Sequence, residues 1–286
     1  MKVPKRLQPL VADGVIDEVI YPLMSGKEAQ VFVVRVGDQY LCAKVYKESK
    51  QRSFKQAAVY QEGRGTRNSR RARAMQKKSK FGQKESEQAW LSAEVDALYR
   101  LAEAEVRVPT PHGFVDGVLL MDLITDEHGD PAPRLDDVEF DVETAAEFHR
   151  IMMQEIVRML CAGLVHGDLS PFNVLVEPEG PVIIDLPQAV NAAGNNSAKM
   201  MLVRDINNMT RFFGQFDTRL LTTHYAEEIW HLYERGDLHP DSTLTGESDQ
   251  VAVETDIATM LRIIEDAREE EADRQARMNA SDEDDY

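Results

Sequence analysis

His166, Asp168, Asn173 and Asp185 stand in one stretch, LVHGDLSPFNVLVEPEGPVIIDLPQ, residues 164–188. A polar loop, 166–173, leads into an apolar run at 174–176. A turn rich in Pro and Gly follows at 177–181, and a second apolar run at 182–184 ends on Asp185. Two such runs around such a turn predict a β-hairpin. Antiparallel pairing sets the start of the first strand beside the end of the second, so Asn173 and Asp185 are expected to be neighbours. An amide oxygen next to a carboxylate is a pair of hard ligands. With phosphate oxygens completing the shell they suit Mg²⁺, which takes few protein groups and keeps its waters. Asp168, outside the hairpin, is then left to accept a proton from an attacking hydroxyl. Loop Asp and Asn residues are also ordinary turn formers; the chemical reading rests on their joint spacing.

That spacing is the D-x4-N of the protein-kinase catalytic loop, with Gly167 where the kinase pattern has Arg and Asp185-Leu186-Pro187 where it has D-F-G. Upstream, Lys44 interrupts the apolar strand pattern of LCAKVY. Burying an unpaired ammonium is costly, so it either reaches the surface or finds a partner. Glu94 is the candidate partner. Trp90, Ala93, Ala97, Leu98 and Leu101 recur at helical spacing, and Glu94 falls on the same apolar face. An acid on a buried stripe calls for a cation. The other reading of Glu94 is an acid at the edge of that stripe.

Several elements must hold these residues. Residues 15–46 read as a strand-rich antiparallel meander with turns at 25–28 and 37–38. The first turn, Ser25-Gly26-Lys27-Glu28, is neither a Walker A sequence nor a G-x-G-x-x-G. It is either a phosphate-holding loop, through its N–H groups and Lys27, or a plain hairpin turn. Two further strands are expected around Phe114 and at 118–121. Asp122, Leu123 and Ile124 then form a connector whose main chain could meet an adenine edge. Helices are predicted at 142–160, 197–216 and 224–238, the first with a core stripe of Phe148, Ile151, Met152, Ile156 and Met159. Arg204-Asp205 is read as a brace for the loop at 166–173 or as a solvated charge pair.

Between the lysine strand and the Glu94 helix, the stretch from Arg64 to Lys80 has eight basic residues and no acid. It is too poor in apolar residues to pack and reads as a mobile loop. It is either an arm for RNA or an acidic partner or a solvated insertion. The chain as a whole carries a net charge of −17, which argues against a general nucleic-acid binder. Its 43% hydrophobic content suffices for a sizeable core. No apolar run approaches the ~20 residues of a membrane span, and the N-terminus has no secretory pattern. Cys42 and Cys161 have no metal-type spacing, so a reducing, cytoplasmic setting is expected. The organisation read from the chain is an N-terminal segment at 1–13, a small lobe at 14–121 with a basic insert at 61–80, a larger lobe at 122–238, and a polar extension with an acidic tail at 239–286.

With these motifs in place, the sequence resembles the RIO-type atypical serine/threonine protein kinases, closest to the RIO1 branch and its bacterial members. The resemblance runs from about Gly14 to Phe216, more weakly to Leu238. It rests on SGKEA at 25–29, AKVY at 43–46, the basic insert before the Glu94 helix, MDLI at 121–124, HGDLS with Asn173, IDLPQ at 184–188 and RDINN at 204–208. It implies an α+β, bilobal protein-kinase-like fold without the usual activation loop, using ATP with Mg²⁺ or Mn²⁺. In that family Lys44 would hold phosphates, Asp168 would be the base, and Asn173 and Asp185 would hold metal. Ser25, Gly26, Lys27, Glu94, Asp122 and Ile124 would complete the nucleotide site. The family has also been proposed to pass through an aspartyl-phosphate, here on Asp185. Three functions follow: a protein kinase acting on a protein substrate or on itself, a small-molecule kinase of the aminoglycoside- or choline-kinase type, and an ATP-gated factor for RNA or a ribosomal particle. The SGKEA turn, the DLPQ ending and the basic insert count against the second.

Overall fold

The computed structural model describes residues 3–26, 29–47 and 93–247. Lys27, Trp90, the basic stretch from Arg64 to Lys80 and the acidic tail lie outside the described residues. The small lobe is a five-stranded antiparallel sheet in the order β1-β2-β3-β5-β4. Its strands are β1 (Glu18–Ser25), β2 (Ala29–Val36), β3 (Gln39–Tyr46), β4 (Pro111–Val115) and β5 (Val118–Asp122). Alternation divides its residues between two faces. Phe32, Val34, Ala43, Val45, Val118 and Leu120 point to one side, where Leu7 and Leu10 of the short helix α1 (Gln8–Ala12) and Ile16 cover them. The N-terminal segment is therefore part of the small lobe's core.

Tyr46 and Leu119 point to the other face and pack with Val95, Leu98 and Leu101 of helix α2, residues 93–103. Lys44 shares their parity and lies opposite Val31 and Leu119. It points to the face that α2 covers, where its side chain is largely buried, so the surface-lysine reading does not hold. The connector after β5 folds back on itself, with an isolated bridge from Thr125 to Pro131 and the Ala132 N–H donated to the Ile124 carbonyl at 3.0 Å.

The large lobe is built on α3 (Val142–Cys161), α4 (Ala198–Phe213) and α5 (Tyr225–Arg235). The Asp141 side chain caps α3 by accepting the Thr144 N–H at 2.7 Å. The helix buries more than the single predicted stripe. Met152, Ile156 and Met159 are covered, but so are Met153, Val157 and Leu160, while Phe148 is only partly buried. The reason is its central position, in contact with α4, α5 and two of the large lobe's strands. Each fully buried Met or Leu supplies roughly 2 kcal/mol of apolar transfer. The third helix stops at Arg235, short of 238, because Gly236 takes the left-handed conformation (φ 74°) and closes the last turn.

Residues 239–247, read from sequence as the start of the extension, are held by the large lobe. Glu228 accepts the N–H groups of Thr245 and Gly246, each at 2.8 Å, and the His224 N–H donates to the Gly246 carbonyl at 2.7 Å. Among the described residues no helix is long and apolar enough to cross a membrane.

Candidate active site

The floor of the site is the predicted hairpin, formed by β7 (Val174–Glu177) and β8 (Gly180–Ile183) after the short β6 (Leu164–Val165). Pairing runs further into the turn than expected, by one residue on the first strand and two on the second, to Glu177↔Gly180, because Gly180 accepts a φ of 128°; the second strand ends at Ile183, not Ile184. Val174 pairs with Ile183, and the Ile184 N–H donates to the Asn173 carbonyl at 2.9 Å. Asn173 thus lies opposite Ile184, and Asp185 follows directly at the open end, one residue out of the expected register. Asp185 itself is left-handed (φ 65°), a conformation costing a non-glycine residue roughly 1–2 kcal/mol. This turns its side chain away from the strand direction. Arg107 fastens the closed end through its side chain to Glu177 (2.6 Å) and the Pro181 carbonyl (3.1 Å).

Lys44 bridges the two lobes. Its Nζ lies 2.7 Å from Glu94 Oε1 and 2.7 Å from Asp185 Oδ1. Glu94 is 4% exposed and Lys44 13%, whereas Asp185 is 48% exposed and open to a ligand. Burial works against the Lys44 charge, but Asp185 and Glu94 together hold its pKa well above the usual value. For Asp185, burial raises and Lys44 lowers the pKa; the cation wins, so Asp185 is a stable carboxylate. Burial pushes the Glu94 carboxyl up, with Lys44 pulling the other way and the Tyr46 hydroxyl against the same group.

The loop between β6 and β7 is pinned from behind. Asp205 of α4 accepts the Gly167 N–H at 2.7 Å and the Leu169 N–H at 3.1 Å. Asn208 Nδ2 donates to the Leu169 carbonyl at 3.0 Å, and Arg204 donates to the Gly167 carbonyl. Arg204-Asp205 is therefore a brace; the solvated-pair reading fails because Asp205 is buried. The Asp168 N–H donates to His166 Nδ1 at 3.3 Å, and His166 Nε2 meets the Ile184 carbonyl at 3.2 Å. An N–H only donates and a carbonyl only accepts, so the ring carries its proton on Nε2. Burial lowers the His166 pKa and keeps it neutral. Asn173 Nδ2 donates to the Asp168 carbonyl at 2.8 Å, which turns the amide oxygen into the atom it can offer a cation. Gln188 Nε2 donates to Asp168 Oδ2 at 2.9 Å.

The remaining predicted residues lie along the cleft. Ser25 ends β1, and the Gly26 N–H closes the turn on the Ala29 carbonyl at 2.9 Å. Lys27 lies outside the described residues. Asp122 is spent internally: its carboxylate takes His112 Nε2 at 2.6 Å and the Thr110 N–H at 3.2 Å. Any nucleotide contact there falls to the main chain. Arg134, which the sequence did not mark, pairs its backbone with Leu175 and sets its guanidinium against Met24 Sδ at 3.0 Å, linking floor and roof.

Residues 30–226 match the RIO domain. The chain belongs to the RIO-domain family. It is 34% identical over 207 residues to the RIO-type serine/threonine-protein kinase Rio1 of Haloferax volcanii, covering 71% of this chain and 66% of that protein. It is 33% identical over 205 residues to the protein of the same name in Methanocaldococcus jannaschii, with the same two coverages. Serine/threonine-protein kinase RIO1 of Homo sapiens is 30% identical over 215 residues, 74% of this chain and 36% of the human protein. The chain thus spans just under two thirds of the two archaeal relatives. The kinase-like α+β fold expected from the resemblance is the fold of the RIO domain described above.

Two buried groups of this RIO domain titrate in opposite senses. Burial pushes His149 of α3 down to about 4, with Asp217 pulling the other way. Burial pushes Asp205 up to about 7, against its N–H partners and Arg204. Unfolding returns them to 6.5 and 3.8. Between pH 4 and 6.5 the unfolded chain therefore gains a proton at His149 and loses one at Asp205, and the two stability slopes cancel. His149→Gln should remove the rising contribution, so that, relative to wild type, stability falls by about 3 kcal/mol as pH rises across this window. Asp205→Asn should unmask the opposite slope. Urea unfolding at intervals of pH reads both; profiles parallel to wild type would refute the pairing.

Proposed function

We propose that this RIO domain transfers the γ-phosphoryl group of ATP to serine or threonine hydroxyls of proteins, its own included. The observation that carries the reading is the convergence on one hairpin mouth of Asp168, Asn173, Asp185 and the doubly paired Lys44. Phosphoryl transfer asks a protein mainly for positioning and charge stabilisation, and this cluster offers both on braced elements.

In this reading Asp168 accepts the proton of the acceptor hydroxyl as the hydroxyl oxygen bonds to the transferred phosphorus. The bond from that phosphorus to its bridging oxygen breaks, and the electron pair leaves on ADP. Lys44 moves between Asp185 and the phosphates, while Glu94 keeps it from leaving the cleft. The connector binds adenine through the Asp122 carbonyl and Ile124 N–H, the complements of the groups already used within the fold. Ser25 and Gly26, at the turn that follows β1, are assigned to the phosphates together with Lys27.

The donor set fits a hard divalent cation. Asp185 supplies an exposed carboxylate and Asn173 an amide oxygen beside it, which suits Mg²⁺ or Mn²⁺ with phosphate oxygens completing the shell. When bound, such an ion neutralises charge on the phosphates. A covalent role for Asp185, as a transient aspartyl-phosphate, belongs to the same reading. The names of the matched archaeal proteins support a place on the RIO1 branch; we assign the chain to its bacterial members and to the cytoplasm, where the free Cys42 and Cys161 suit a reducing setting.

The test is incubation of purified protein with γ-labelled ATP and Mg²⁺. Label is expected on serine or threonine of a generic protein acceptor or of the protein itself. Label passing only to small alcohols or aminoglycosides would overturn the reading. So would its appearance only as free phosphate, with no phosphoprotein at any time.

A further inference from the structure

We infer that Gln188 is a positioning residue for Asp168: it fixes the rotation of the carboxylate that takes the acceptor's proton. This rests on the proposed function above, which makes Asp168 the base.

The main chain at Asp168 is held on every side. Asp205 takes the N–H groups before and after it, at Gly167 and Leu169. Its own N–H goes to His166 and its carbonyl to Asn173. These bonds hold the main chain of the loop. Gln188 reaches the carboxylate itself, with Nε2 donating to Oδ2 at 2.9 Å. An ionised carboxylate only accepts, so the glutamine must face it with its amide nitrogen.

Gln188 is itself held in place by local structure. Leu186, two residues before it, is buried, and the Ala189 N–H closes a turn on the Leu186 carbonyl at 3.1 Å. Directly after it β9 (Val190–Asn191) pairs with β6, Val190 against Val165, immediately before His166. The strand pair that carries the loop thus also carries Gln188 back onto it. The route from Asp185 to this contact is three residues long. The same short segment connects the proposed metal ligand to the restraint on the base.

Gln188→Met keeps the length and volume but removes the donor. Gln188→Lys restores a donor on a longer stem. Gln188→Glu keeps the shape and sets a second carboxylate against Asp168. Because misplacement by about 1 Å can cost 10²-fold in rate, the Met variant is expected to lose about ten- to hundredfold in kcat, with KM for ATP within about twofold. The Glu variant should lose more, and the Lys variant should recover most of the loss. A role in packing alone predicts the reverse, Met tolerated and Lys harmful. Fluorescent-nucleotide binding to each variant checks that the cleft is intact; if Met does not fold, Glu against Lys makes the same comparison. Wild-type kcat in Met or Glu, or Lys no better than Met, would overturn the inference. Asp168→Ala in the same assay separates the two layers. Turnover surviving there defeats the proposed function, whereas an inactive Asp168→Ala beside a fully active Gln188→Met defeats only the role of Gln188.

Discussion

Asp168→Ala is expected to lower kcat for phosphoryl transfer by about 10²–10⁴-fold, the range for removal of a general base, while KM for ATP changes by less than about threefold. The split follows from where Asp168 sits. Its backbone carbonyl is tied to Asn173, but its carboxylate is engaged by Gln188 and touches neither Lys44 nor Glu94 in the bonds described above. The groups assigned to nucleotide are therefore left in place when the side chain is removed. The backbone remains held by Asp205 and His166, so the loop should not collapse. Asp168→Asn should fare no better. It preserves volume, but an amide cannot take the proton, and Gln188 can still be satisfied by its oxygen. Single-turnover transfer from labelled ATP, with nucleotide affinity measured separately, checks the prediction. Activity within tenfold of wild type in either variant would remove Asp168 from the chemistry.

What the sequence revealed depended on how far a signal had to reach. The hairpin was legible because strand pairing is local and turn residues mark it, though its register falls one residue short of setting Asn173 opposite Asp185. Lys44 and Glu94 lie far apart in the chain, yet each carried its own sign, a charge in an apolar strand and an acid on a helical stripe. Their meeting at 2.7 Å answers both. The second partner of Lys44 was not legible. Asp185 reaches it only because the lobes close on one another, and nothing in either local pattern encodes that distance. Gln188 and Arg107 were missed for a related reason: a single amide or guanidinium in a loop has no periodicity to betray it. Glu155 was within reach. It lies among Met152, Ile156 and Met159 on α3, is buried, and accepts the Arg107 N–H at 2.8 Å. Like Glu94, it is an acid on a buried helical stripe, and such an acid calls for a cation, here Arg158 at 2.9 Å. Asp205 was ambiguous because adjacent charges on a helix point in different directions, and only burial tells which one serves the interior.

Asp185→Ala is expected to abolish transfer, with a loss of about 10³-fold or more, because on the proposed reading it removes the carboxylate that would hold the metal at the phosphates. It should also remove the dependence of nucleotide affinity on Mg²⁺. The side chain has a second tie, to Lys44, so loss of activity alone could reflect disruption of the cleft. Three replacements separate these effects. Glycine accepts the left-handed backbone at 185 (φ 65°) and should be more stable than alanine by about 1 kcal/mol, yet equally inactive. Asparagine also tolerates that conformation and keeps the shape, but supplies no charge to Lys44 or to a cation. In all three, Glu94 still holds Lys44 at 2.7 Å from the other side, so the ammonium is not left buried alone. Nucleotide should therefore still bind weakly. Thermal unfolding with ADP, in the presence and absence of Mg²⁺, distinguishes the cases. Wild type should gain stability from the ion and nucleotide together, whereas the variants should respond to nucleotide identically with or without the ion. An Asn variant that keeps both turnover and the Mg²⁺-dependent gain would mean the cation is held elsewhere, and the metal assignment at the hairpin mouth would have to be withdrawn.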